Sequence, residues 1–241
     1  MRLLVTRPQP GAERTAAALH ALGHSVVTAP VLRFETVLPD IPAGPWHGVL
    51  MTSASAARAI SAHPRRAELL DCPVFAVGSS AAEAARAAGF TPVRSADGDV
   101  EALLRLVRTS VSGSNVRLLY LAGEDRAGDL AGTLASHGLE VRTVEVYRAV
   151  ASDVLTNEAV AAIAHGEIDA ILHYSMRSAT VFVDLAKKAD VWPGACEAAQ
   201  LCLSAQVAKP LVAAGAGTVR IAPVPDENAL FGLIRGTASN Q

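Results

Sequence analysis

Small and hydroxyl-bearing residues recur where apolar runs end. Six such endings read Thr6-Arg7, Thr52-Ser53, Gly78-Ser79-Ser80, Gly123-Glu124, Tyr174-Ser175 and Ser204-Ala205-Gln206. If the runs are strands of a parallel α/β sheet, ligands bind beyond these carboxyl ends. Hydroxyls there cap helices, and they also let a ligand approach the N–H groups of a helix start. Capping alone explains any one ending. Six around a possible cleft favour an anion held by several helix N-termini, with Arg7, Thr52, Ser53, Ser79, Ser80, Gly123, Ser175, Ser204 and Gln206 as binding candidates. Each terminus contributes only ~0.3–1 kcal/mol to an exposed anion, so a tight site needs several. Arg126, Arg177 and Lys209 also follow strand ends, and for Arg126 and Lys209 ordinary solvation explains them as well. His20 and His24 have metal-ligand spacing, but Gly23 between them marks a helix end and a surface pair. Neither a Gly-x-x-x-x-Gly-Lys-Ser/Thr loop nor a Gly-x-Gly-x-x-Gly turn is present, so no nucleoside triphosphate or dinucleotide is indicated.

The elements that must position these residues can be read from periodicity. Apolar runs at Arg2–Thr6, Ser25–Ala29, Gly48–Met51, Val74–Val77, Val116–Leu121, Ile168–Tyr174, Leu201–Leu203 and Thr218–Ala222 alternate with Ala-rich helical segments. That alternation predicts an α/β fold, with parallel sheets flanked by helices. Ser80 and Glu83 have the spacing of a capping box, and Asp99 and Thr156 precede helices. A last helix is expected over Glu227–Arg235, before a polar, frayed tail. The longest extended run is Glu140–Val150, where strict alternation puts Val141, Thr143, Glu145 and Tyr147 on one side. Strand filling is the plain reading of Tyr147, since Tyr suits strands. A second long run spans Ser25–Val37.

The 241 residues allow one large domain or two small ones, and the net charge of −2 gives no bulk attraction to nucleic acid or anionic membrane. The three cysteines lack paired spacing, which predicts no disulfide framework and a reducing, cytoplasmic setting. No apolar run reaches spanning length and the first is too short for a signal peptide.

The chain also repeats itself. A slide of 115 carries Arg2, Leu3, Leu4, Leu19, Gly23, Val26, Val31 and Arg33 onto Arg117, Leu118, Leu119, Leu134, Gly138, Val141, Val146 and Arg148. Slides of 122 and 126 carry Leu50 and Ser53 onto Leu172 and Ser175, and Ala82, Gly89 and Val93 onto Ala208, Gly215 and Val219. The order is A, B, A, B. Tandem and interleaved groupings are both possible, but only the interleaved one explains the two over-long strands as crossings between halves. It predicts one lobe from 1–33 and 151–241, a second from 38–145, and linker strands at 34–37 and 146–150. A cleft between the halves would have Tyr147 near its floor.

Several motifs together resemble the uroporphyrinogen-III synthase family. They are Leu-Leu-Val-Thr-Arg-Pro at the start, Pro30-Val-Leu-Arg-Phe, Leu50-Met-Thr52-Ser53, Phe75-Ala-Val-Gly78, Ala122-Gly123-Glu124, Val144-Glu-Val-Tyr147-Arg and Tyr174-Ser175. The likeness spans nearly the whole chain, and Val-x-Val-Tyr-Arg is its most specific part. It implies two lobes joined by a two-stranded antiparallel linker. It also implies a reaction without metal or organic cofactor, in which hydroxymethylbilane, an acidic linear tetrapyrrole, closes to uroporphyrinogen III with loss of water and inversion of ring D. Tyr147 then resembles the tyrosine that assists hydroxide departure, and Thr52, Ser53 and Ser175 the contacts facing the cleft. The expected protein is a monomer that binds neither nucleic acid nor membrane. Ala81 and the Ser204-Ala205-Gln206 turn depart from the family pattern, which keeps open an inactive homologue that binds an acidic ligand as a sensor.

Overall fold

The computed structural model describes residues 1–111, 113, 115–126 and 128–235; the expected frayed tail lies outside them. The chain divides into two compact units, one made of residues 1–33 and 150–241, the other of 34–149.

The first unit holds β1 (Arg2–Val5), α1 (Gly11–Ala21) and β2 (Ser25–Thr28) from one end of the chain. From the other end come α6 (Asn157–Ala164), β9 (Ala170–His173), α7 (Met176–Lys188), α8 (Trp192–Glu197), β10 (Ala199–Cys202), α9 (Ala205–Ala213), β11 (Val219–Ile221) and α10 (Glu227–Arg235). The second unit holds β4 (Gly48–Met51), α2 (Ala54–Ser61), β5 (Val74–Ala76), α3 (Ser79–Ala87), β6 (Val93–Ser95), α4 (Val100–Ser110), β7 (Arg117–Gly123) and α5 (Leu130–Ala135). The strands β3 (Leu32–Thr36) and β8 (Glu140–Ala151) each begin in one unit and end in the other. The Val37 N–H donates to the Val146 carbonyl and the Ser152 N–H to that of Val31, so these two strands run antiparallel. Among the described residues the other strand pairings are parallel.

The first sheet has the order β11-β10-β9-β1-β2 and the second β3-β8-β7-β4-β5-β6. Both are covered by helices, so their central strands are continuous apolar runs. Leu3, Leu4, Ile171, Leu172, Val49, Leu50, Leu118 and Leu119 are all fully buried. Ala-rich helix faces, such as Ala56, Ala57, Ala82 and Ala85, let backbones pack close to the sheet.

The repeat in sequence is a repeat in register. Leu3 opposes Ala170 as Leu118 opposes Gly48; Arg2 opposes Ser25 as Arg117 opposes Glu140; Gln200 opposes Val219 as Val74 opposes Val93. Even the helix stops correspond. Gly23 and Gly138 take φ of 82° and 83°, a left-handed conformation that glycine adopts without a Cβ penalty.

Candidate active site

Each sheet reverses its strand order at one place, between β1 and β9 in the first unit and between β4 and β7 in the second. Such switch points leave a crevice beyond the strand ends. Thr6-Arg7 and Tyr174-Ser175 flank the first, Thr52-Ser53 and Gly123-Glu124 the second.

In the first unit the crevice is filled by the protein itself. One oxygen of Glu227, at the start of α10, accepts from the Arg7 guanidinium at 2.9 Å, the Thr15 hydroxyl at 2.6 Å and the Tyr174 hydroxyl at 2.8 Å. Arg7 also donates to Thr15 at 3.1 Å and lies 4.1 Å above the Tyr174 ring. Burial raises the Tyr174 pKa further above the usual phenol range, and the adjacent Glu227 carboxylate adds to this. Arg7 is thus engaged within the chain by a residue 220 positions away. Ser175 caps α7, accepting from the Ser178 N–H at 3.1 Å. Ser204 precedes α9 without a side-chain cap, and Gln206 is exposed in its first turn.

The second unit is arranged differently. Thr52 is exposed, and its hydroxyl shares a 3.0 Å hydrogen bond with that of Tyr120, which is buried. Burial raises the Tyr120 pKa, the Thr52 bond opposes that, and the Tyr147 phenol nearby raises it again. Ser53 caps α2, accepting from the Ser55 N–H at 3.1 Å. The expected capping box at Ser80 and Glu83 is not formed, because α3 starts earlier. Gly78 is its N-cap, and Ser79 and Ser80 are the exposed first residues of the helix. α3 and α9 are repeat equivalents, and neither has a side-chain cap among the described residues, which leaves the N–H groups at the very start of each helix to a ligand oxygen, while the Ala81 N–H, third in α3, donates to the Gly78 carbonyl.

Tyr147 is half-buried on β8. The strict alternation expected there breaks at a bulge: Ala122 opposes Glu145, but Gly123 opposes Tyr147. The extra residue, Val146, shifts the phase. Tyr147 therefore packs with the cluster of Val144 and Val146, whereas Val141 packs with the opposite cluster around Leu118 and Tyr120. A hollow of about 460 Å³ is lined by Tyr147, Glu124, Arg126, Arg142, Glu145 and Arg148 among others. Arg126 is paired with Glu145 at 2.7 Å and Arg148 with Glu35 at 3.1 Å.

Sequence reasoning missed Tyr120, Thr15 and Glu227. Tyr120 lies inside an apolar run and reads as core; Thr15 lies inside a helix; Glu227 reads as an ordinary first-turn acid. Among the described residues, no three His, Cys, Asp or Glu side chains are grouped so as to hold a metal, and no helix is long and apolar enough to cross a membrane.

A Helicobacter pylori uroporphyrinogen-III synthetase superposes with a TM-score of 0.65 at 16% identity, over 98% of this chain and 99% of that one. A mutant uroporphyrinogen III synthase from Thermus thermophilus superposes with a TM-score of 0.50 at 18% identity, over 100% of both chains. At such identities these likenesses establish the fold. Comparison with curated proteins finds no match. The family model for uroporphyrinogen-III synthase HemD matches residues 13–232, most of the chain, and the chain belongs to that family.

Proposed function

We propose that the protein converts hydroxymethylbilane to uroporphyrinogen III, with Tyr147 as the acid that assists loss of the terminal hydroxyl. The carrying observation is the setting of Tyr147, whose half-buried phenol lies in a hollow along β8 that reaches Glu124 and Arg126 beyond the carboxyl end of β7. A phenol has a reference pKa of about 10, so it holds its proton at neutral pH and can give it to a departing hydroxide. The proton and hydroxide leave as water, and the ring is then inverted through a spiro intermediate before closure. Positioned acid catalysis contributes roughly 10²–10⁴-fold. Holding a flexible linear substrate in a folded shape supplies much of the rest.

In this reading the open N-termini of α3 and α9 receive substrate carboxylates through backbone N–H groups, with Ser79, Ser80, Ser204 and Gln206 at their rims. Because backbone donors survive side-chain change, the departures at Ala81 and Ser204-Ala205-Gln206 are compatible with activity. Thr52 adds a hydroxyl, whereas Ser53 and Ser175 are occupied as caps and contribute mainly by fixing helix starts. Residues 34–37 and 146–150 serve as the linker of the two lobes.

The test is incubation of the purified protein with hydroxymethylbilane, followed by oxidation and separation of the porphyrin isomers. The type III isomer, formed faster than the spontaneous reaction, is expected. Type I alone at the spontaneous rate would refute enzymatic closure and leave a binding protein.

A further inference from the structure

A Cβ built on Gly123 would fall 2.7 Å from Cζ, 2.8 Å from Cε2 and 2.9 Å from the hydroxyl oxygen of Tyr147. Real Cβ atoms essentially never come so close, so the tip of the phenol rests directly on the Gly123 backbone. Two features put it there. The bulge opposes Gly123 to Tyr147 instead of Val146, and the Glu124 N–H donates to the Tyr147 carbonyl at 3.0 Å, which fixes that register. On the same ring, Phe34 makes an edge-to-face contact with centroids 5.5 Å apart and planes at 88°. Phe34 is itself exposed, so it covers this side of the ring from the surface.

Gly123 does not lie in the left-handed region, so its backbone would accept alanine. The feature that requires a glycine here is the phenol. We infer that Gly123 is a positioning residue for Tyr147, its bare backbone forming the seat on which the phenol is aimed, with Phe34 holding the ring from the side. This rests on the reading of Tyr147 as the acid and assigns Gly123 a role other than a backbone contact to substrate.

The experiment compares Gly123→Ala, Tyr147→Phe, their double variant, Phe34→Leu and Phe34→Tyr, measuring kcat, KM and melting temperature. The atoms that an added methyl meets are the far end of one side chain, so the ring can swing aside and Gly123→Ala should melt close to the parent. Displacing a reacting group by ~1 Å can cost about 10²-fold. Gly123→Ala should therefore lower kcat by roughly 10- to 100-fold with little change in KM, and the double variant should be no slower than the slower single one. Phe34→Leu should lower kcat by about 3- to 10-fold, the scale of one aromatic pair, and Phe34→Tyr should restore it. Parental kcat in Gly123→Ala beside a slow Tyr147→Phe would overturn the seat and leave the acid standing. So would a double variant showing the product of the two losses, or a defect confined to KM. Parental kcat in Tyr147→Phe would overturn both. If Gly123→Ala does not fold, parental kcat in Phe34→Leu overturns the side support, and slowing that Phe34→Tyr restores upholds it.

Discussion

Gly48 beside Phe75 in one unit answers Ala170 beside Leu201 in the other. These positions are equivalent in the repeat and lie on the same strands in the same registers. A Cβ on Gly48 would meet Phe75 Cε2 at 2.5 Å and Leu118 Cδ2 at 3.3 Å, so the larger ring on one strand requires the smaller residue on the next. A second exchange lies nearby. Met51 and Val74 of the second unit correspond to His173 and Gln200 of the first, both fully buried. Gln200 is fixed by donating to the carbonyls of Ala195 and Ala198, so its Oε1 accepts from Nε2–H of His173 at 2.9 Å. Nδ1 of His173 is left buried without a partner among the described residues. The same register thus supports an apolar core in one unit and a polar pair in the other. At the switch points the divergence is larger. The first unit fills its crevice with Glu227 and pins α10, while the second has the Thr52–Tyr120 hydroxyl pair at its switch point and Tyr147 in a hollow along β8. The strands of the repeat match, whereas their carboxyl ends differ: one unit closes its corner with an internal hydrogen-bond cluster and the other leaves a hollow.

Overpacking gives the largest expected break in this correspondence. Gly48→Ala should cost about 3 kcal/mol, because Phe75 and Leu118 are buried and cannot swing into solvent. Adding Phe75→Leu installs the pair of the first unit and should recover most of the loss. Urea titrations of the two variants check this, and a double variant as unstable as Gly48→Ala would mean the two cores are not interchangeable.

The buried histidine gives the next effect. Burial pushes its pKa from an ordinary value near 6.5 down to about 4, with the Gln200 hydrogen bond opposing. Between those values the unfolded chain binds the proton and the folded one does not. Stability is therefore full above pH 6.5 and lost as pH falls toward 4, by on the order of 2 kcal/mol between pH 7 and 4.5. His173→Met with Gln200→Val, the residues of the second unit, should remove that component. The difference in pH dependence between parent and double variant isolates it from the carboxylates.

A smaller effect is expected at the first switch point. Glu227→Ala takes the shared acceptor from Arg7, Thr15 and Tyr174, and should cost roughly 1.5 kcal/mol, since the group is partly exposed and water replaces some of the bonds. Glu227→Gln keeps an acceptor oxygen and should lose less. Thermal melts of both variants would show this order.

The repeat was legible because slides of 115, 122 and 126 act on residues that became matching registers. The caps at Ser53, Asp99, Thr156 and Ser175 were legible too, since each needs only a hydroxyl or carboxylate three or fewer residues before its N–H. The cap at Ser80 was misread because Gly78 offers no side chain by which to recognise a start. The orientation of Tyr147 was misread because a bulge arises from the pairing partner, and nothing in Glu140–Val150 itself marks it. Glu227 was missed because its partner lies at the other end of the chain.

The most direct measurement sets Tyr147→Phe beside Tyr174→Phe, one phenol from each unit. Turnover, isomer ratio and melting temperature would be taken on both. Tyr147→Phe should lower turnover by roughly 10²-fold, raise the type I isomer as spontaneous closure competes, and melt like the parent. Tyr174→Phe should melt lower, having lost its bond to Glu227, and keep the parental isomer ratio. Parental turnover in Tyr147→Phe, with the loss appearing in Tyr174→Phe instead, would contradict the assignment of chemistry to the second unit.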